Sequence, residues 1–401
     1  MMYGLILIQM TTNKNIIIIY TALIYMLFGC ISEFEPPKDM KDMAGLLVVE
    51  GVILEEGTTI KLSRVVNLSE YLTPNYLFEG VNYATIRIMD EALNIVATAE
   101  QYDNLGRYIV NEKFSFVPGM KYALDIQVYW DHYRSAFVTP MKTPEIDTVS
   151  WRLNNDNSID IMVSTHDPTN NTLYCLWDFK EDWEVRSRYG ASLRYDPITR
   201  TVISQSLYGD NRYYCWASLS SSSLLLASTE KFIDAAIKDH KIHTLQPGNS
   251  RYSYLYSIQV NQYGINKEAS DYFNNLQRNI DESGSLFAPQ PSEITGNIQC
   301  LSDPDKPVIG YIFASKATSS RLFIPMAQLE LSYFEDRGYC EERNDFTSAE
   351  EAFGSGYEIL DTNVNTVSGY LYISRQCIDC MSRGLGNPQK TKPDFWPNDH
   401  R

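Results

Sequence analysis

Histidine, basic charge and early cysteine are scarce in this chain. Five histidines are scattered over 401 residues (His132, His166, His240, His243 and His400), and none stands in an arrangement that pairs a base with a nucleophile. Gly354-Ser355-Gly356 lacks the G-x-S-x-G spacing of a nucleophile elbow. Lys and Arg number 34 against 50 Asp and Glu, a formal net charge of −16, with no local basic patch. So acidic a chain is not built to wrap nucleic acid or to bind an anionic membrane by charge. Carboxylates are too numerous for any pair to be nominated as a glycosidase acid and base. No cysteine falls between Cys30 and Cys175, so the N-terminal third must hold together by its core alone.

What is present begins at the N-terminus. Lys14 is the only charged residue before Cys30, and residues 16–28 are an apolar run that ends in Leu27-Phe28-Gly29-Cys30. A short apolar segment after a positive charge is a secretory signal rather than a spanning helix. A small residue followed by cysteine is the place where a bacterial lipoprotein is cut and acylated. Residues 1–29 are therefore expected to be a signal peptide, with Met10 as the natural start, and Cys30 to carry lipid; a cut elsewhere is the alternative. Several acyl chains together anchor a protein stably. Residues 30–42, with Glu33, Glu35, Pro36 and Pro37, read as an acidic tether.

Beyond the tether, hydrophobic periodicity of two recurs far more often than 3.6, and the chain carries 28 tyrosines. The clearest strand is 122–130, where Tyr122, Leu124, Ile126, Val128 and Trp130 share one face and Asp125 and Gln127 the other. Short strands with turn signals every few residues predict an Ig-like β-sandwich over 43–140. A larger β-rich, sandwich-like domain is expected over 141–401. It opens with a hairpin in which Trp151 and Leu153 lead through Asn154-Asn155-Asp156-Asn157 into Ile159, Ile161 and Val163. One helix stands out near 267–281, with Ala269, Tyr272, Phe273, Leu276 and Ile280 on one face and Asn266 as its cap; 231–241 reads as a second, weaker helix. The fold class is mainly β with one or two helices, and the tail from 383 is irregular.

Six cysteines remain in the body: Cys175, Cys215, Cys300, Cys340, Cys377 and Cys380. In an oxidising compartment that even count predicts up to three disulfides. Cys377-Ile378-Asp379-Cys380 is also the spacing of a redox pair or of half a zinc site. No second C-x-x-C supplies the other half, and the preceding residues read as a strand rather than a thioredoxin-like helix start. Asp303-Pro304-Asp305 suits either a calcium ligand set or a solvated turn. Asp147-Thr148-Val149 matches the short O-glycosylation sequence of exported Bacteroidetes proteins. Exposed aromatics from the tyrosine excess could stack on sugars, whereas Trp396, in an irregular tail, must bury itself on the body or on a partner. No catalytic residue, metal set or cofactor motif is legible.

In order along the chain, several pieces resemble Bacteroidetes lipoproteins grouped as domain of unknown function 4249. They are Cys30 with Glu33-Phe34-Glu35-Pro36, the strand at 47–51, Leu62-Ser63-Arg64, Cys215-Trp216 and Arg251-Tyr252-Ser253. Gly296-Asn297-Ile298, Gly310-Tyr311, the closing cysteine pair and Lys392-Pro393-Asp394-Phe395-Trp396 complete the set. The resemblance runs from Cys30 to about Trp396. It implies an outer-membrane lipoprotein of a kind often encoded beside a TonB-dependent transporter, and it supplies no catalytic residues. A non-enzymatic, substrate-binding or accessory role follows. The competing expectations are a thiol–disulfide oxidoreductase using Cys377 and Cys380, or a carbohydrate-binding surface module.

Overall fold

In a computed structural model of the chain, residues 45–66, 79–204, 212–221, 223–282, 296–325, 329, 340–383 and 387–398 are described. Cys30, the signal segment, the tether and His400 lie outside them. The chain divides into two compact units. In the unit formed by 1–46 and 65–77, the backbone of Gly45 and Leu46 pairs with Val65. All that follows concerns the unit formed by 47–64 and 78–401.

Its fold is mainly β, as the period-two patterning predicts. The first sheet sets Asp131–Ser135, Tyr122–Val128, Thr85–Asp90, Ile95–Gln101, Arg107–Ile109, Thr59–Arg64 and Leu47–Ile53 side by side. It folds around one core that includes Val49, Ile60, Ile86, Leu124, Tyr133 and Ile312. Both ends of this sheet are completed from far along the chain. Ile298–Cys300 adds to Asp131–Ser135, while Val308–Gly310 and Phe313–Lys316 run parallel to Leu47–Ile53. The sandwich expected over 43–140 therefore takes strands from beyond residue 297. Gly310 makes the junction possible: its φ is +144°, and a Cβ there would lie 2.2 Å from the Val49 carbonyl oxygen. Asn297 locks it, because its amide exchanges hydrogen bonds of 2.7 and 2.8 Å with the backbone of Ile312.

A second sandwich follows. The expected hairpin forms as Ile146–Leu153 and Ile159–His166, and Ala236–Leu245 completes a three-stranded sheet. Facing it, Tyr214–Ser220, Tyr174–Arg186, Leu255–Ile265 and Thr318–Pro325 form the larger sheet, with Leu225–Ser228 also paired to Tyr174–Arg186. Ile161, Val163, Trp177, Phe179, Ile258 and Ile324 meet in the shared core. A small three-stranded sheet, Glu342–Arg343, Tyr370–Ser374 and Tyr357–Thr362, closes the C-terminal region. Helix α1, Lys267–Glu282, is capped by the Asn266 side chain at 3.0 Å and buries Ala269 and Tyr272.

Two local expectations are corrected. Residues 236–245 are a strand, not part of a helix, because edge pairing with Ile159–His166 outweighs their weak helical periodicity. Trp130 does not join the buried face of 122–128. The strand ends at Val128, which pairs with Asp131, so Tyr129 and Trp130 form a two-residue hairpin loop that breaks the alternation. On the opposite face of that strand Asp125 is itself buried, with His132 at 2.7 Å and Arg134 at 2.9 Å.

The cysteines form two bridges, not three: Cys215–Cys380 and Cys340–Cys377. Cys175 and Cys300 are buried free thiols. They cannot meet, because Cys175 belongs to the core of the second sandwich and Cys300 to that of the first. Burial pushes the Cys175 thiol up to about 12. Trp396 buries itself on the body against Trp216, Leu255 and Phe323. The Cys215–Cys380 bridge spans 165 residues, so Cys215→Ser should lower stability by about 2–4 kcal/mol. Urea melts of the oxidised proteins measure this; equal midpoints would contradict it.

Candidate functional site

The C-x-x-C motif is divided between the two bridges, so Cys377 and Cys380 are bonded to different partners. Both are buried, and Asp379 between them accepts from Arg212 at 2.9 Å. Arg212 also pairs with Glu358, which in turn accepts from Arg375 at 3.0 Å. This is a clasp that fastens the C-terminal segment to the second sandwich.

The four described histidines are equally absorbed. His240 stacks on Trp177 at 5.2 Å, and His243 packs on Phe179 and lies 3.3 Å from Glu181. His132 belongs to the Asp125 cluster. His166 pairs with Asp147 at 2.8 Å on the wall of a cleft of about 570 Å³ that also includes Asp167, Asp234 and Asp239. Thr148 is exposed on the same wall. No group of three metal-ligating side chains gathers among the described residues. Asp303 and Asp305 form a turn, in which the Asp305 N–H donates to the Asp303 carboxylate at 3.3 Å. Gly354-Ser355-Gly356 ends the short helix α2, Ala349–Gly354.

Asp167 has the most displaced carboxyl of the cleft. Burial works to raise its pKa, but donors from the Thr169 side chain and backbone, Thr172 and Asn171 together bring it to about 2. Its folded value thus lies below the ordinary 3.8, so its stabilisation is complete above pH 3.8 and is lost as pH falls towards about 2. Asp167→Asn should flatten the loss of stability across that window, as urea melts along an acid series would show.

Sequence reasoning missed a second recess, in the first sandwich. It measures about 210 Å³ and is lined by Arg64, Gly80, Val81, Asn82, Tyr83 and Tyr129. Two of these residues are unusual together. Tyr83 has φ 62° and Tyr129 φ 49°, left-handed conformations that tyrosine adopts at a cost of about 1–2 kcal/mol each. Yet Tyr83 is 82% exposed, Tyr129 70% and the adjacent Trp130 94%, so little burial offsets that cost. Two-residue hairpin loops favour Asn and Gly at such positions; here the loop is Tyr129-Trp130.

The surrounding structure over-determines the backbone around Tyr83. The Tyr83 N–H donates to the Gln101 side chain at 2.8 Å. Buried Tyr108 accepts from the Ala84 N–H at 2.9 Å through its hydroxyl, which donates to the Val81 carbonyl at 2.9 Å. The Gln101 amide also reaches Asn82 and the Asp103 carbonyl. On the far side, a Cβ on Gly80 would sit 2.3 Å from the Leu105 backbone, so glycine alone permits that approach. Backbone strain held in place around exposed side chains is a mark of a binding site rather than of a core. The one available signal in the sequence was an aromatic pair where the strand alternation of 122–128 had to turn.

If strain is stored at these positions, glycine relieves it. Tyr83→Gly and Tyr129→Gly should each raise stability by up to about 1 kcal/mol, against the usual destabilising effect of glycine. A fall in the melting temperature of both variants would contradict the assignment.

No curated protein matches the chain. Its sequence does match one family, described as Domain of unknown function (DUF4249), over residues 31–321. That span reaches from just beyond Cys30 through both sandwiches and includes the Tyr83–Tyr129 recess, the Gly296-Asn297-Ile298 junction and Gly310. It stops short of Cys340, Cys377 and Cys380, so of the C-terminal clasp only Arg212 and Cys215 lie inside the matched region. Matched over more than half of its length, the chain belongs to the family of domain of unknown function 4249.

Proposed function

We propose that this protein is a lipid-anchored, non-enzymatic binding protein of the bacterial outer membrane that serves a TonB-dependent transporter as accessory or substrate-binding partner. The observation that carries the binding role is the pair of exposed, backbone-strained tyrosines that line one recess of a rigid sandwich. The anchoring rests on the apolar run before Cys30 and the acidic tether after it. The transporter partnership rests on the resemblance to outer-membrane lipoproteins carried by the ordered motifs from Cys30 to about Trp396. Residue types that often carry chemistry have structural partners here: Cys377 and Cys380 are in separate bridges, and His132, His166 and His243 are paired to carboxylates. That supports recognition over thiol exchange, which needs an accessible thiolate.

Mass spectrometry of the mature protein should find Cys30 as an acylated N-terminus. Purification of the acylated protein from detergent-solubilised outer membrane should recover a TonB-dependent receptor. An unmodified residue 30 would overturn the anchoring, and repeated recovery of no receptor would overturn the partnership.

A further inference from the structure

We infer that the recess between Tyr83 and Tyr129 binds a neutral saccharide, one sugar ring of a longer chain. The inference deepens the binding role proposed above and rests on it. Small-molecule pockets usually enclose about 300–1,000 Å³; this one holds about 210 Å³ and opens on two phenol rings that face solvent. Such a space admits a single ring and leaves the rest of its ligand outside, against Trp130.

The lining has the two kinds of surface that a sugar ring presents. Exposed aromatic faces attract the polarised C–H groups of one face of the ring. The Tyr83 and Tyr129 hydroxyls, with the several N–H donors of the Arg64 guanidinium, are suited to its hydroxyls. Neutrality follows from charge. The chain carries −16 overall, and Asp131, whose pKa is lowered first by its bond to Lys306, also feels the charge of Arg64. The recess holds a single cation in a chain of strong negative charge, so an anionic ligand would meet a repulsive field. A peptide added as a further strand is disfavoured, because the recess is formed mainly by turn residues rather than by an open strand edge. Strain also fits this ligand: rings fixed before binding lose little conformational freedom when a sugar stacks on them.

The test uses full-length acylated protein in detergent on an array of neutral oligosaccharides built from glucose, galactose, mannose and xylose. Calorimetry then follows on any oligosaccharide retained. Wild type should bind at least one. Tyr83→Gly and Tyr129→Gly should each weaken that binding about tenfold or more, while melting no lower than wild type. That combination separates a recognition role from a folding role, because the variants keep the scaffold and lose the rings. No binding by wild type, binding to anionic glycans alone, or unchanged affinity in both variants would overturn the inference. Receptor recovery is scored in the same preparations. Protein that recovers the receptor but binds no saccharide sinks the sugar assignment alone; protein that binds saccharide through these tyrosines without a receptor sinks the partnership alone.

Discussion

Three carboxylates buried on one strand set the terms for the second sandwich. Glu181, Asp182 and Glu184 all lie within Tyr174–Arg186 and are almost wholly inaccessible. A buried charge without a partner costs several kcal/mol, and removing one member of such a pair costs about 3–5 kcal/mol. Each acid is accordingly met by cations or donors drawn from different parts of the chain. Arg251 donates to Glu181 at 2.7 Å, with His243 and the Tyr256 hydroxyl beside it; Arg321 reaches Asp182 at 2.8 Å; Arg186 pairs with Glu184. Burial works to raise the Glu181 pKa, and His243 and Arg251 outweigh it, so the carboxylate remains charged. The registers of Ala236–Leu245, Leu255–Ile265 and Thr318–Pro325 are tied to these pairs, because a slip of one residue would turn each partner to the opposite face.

The same logic governs the C-terminal region with covalent help. Arg212 bridges Glu358 and Asp379, and the two disulfides hold the segments that bear them. Residues 387–398 carry little regular structure, yet Trp396 packs into a pocket of the large sheet and Gln389 exchanges backbone hydrogen bonds with Trp216. An irregular tail is thereby ordered by one buried ring, one backbone bridge and the nearby disulfide.

Among the described residues, the first sandwich has neither bridges nor a comparable ionic lattice. Its apolar core and its returning strands, pinned by Gly310 and Asn297, hold a rigid frame. Upon that frame Tyr83 and Tyr129 hold left-handed backbone conformations while their rings stay exposed. Rigidity in the frame is what allows strain at the rim, and strain at the rim is what distinguishes these tyrosines from the many that fill cores. Tyr108, Tyr122, Tyr133, Tyr256 and Tyr372 are all fully buried, so tyrosine count alone identifies no surface.

Much of the β architecture was legible because alternation is local. The hairpin at 146–166, the strand at 122–128 and the Asn266-capped helix all follow from side-chain period and capping, which depend on neighbours in the chain. Family membership was legible from short ordered motifs, several of which prove to be sites of close backbone approach or of disulfide bonding. Tertiary structure alone decided the rest. It set which cysteines met, since Cys175 and Cys300 were separated into different cores by the folding of sheets that sequence order does not reveal. It turned 236–245 into a strand by supplying a partner edge, and it buried Asp125 by bringing His132 and Arg134 over it. It also placed Tyr83 beside Tyr129, more than forty positions away, and a backbone angle of the wrong sign for tyrosine has no signature in a string of residue names.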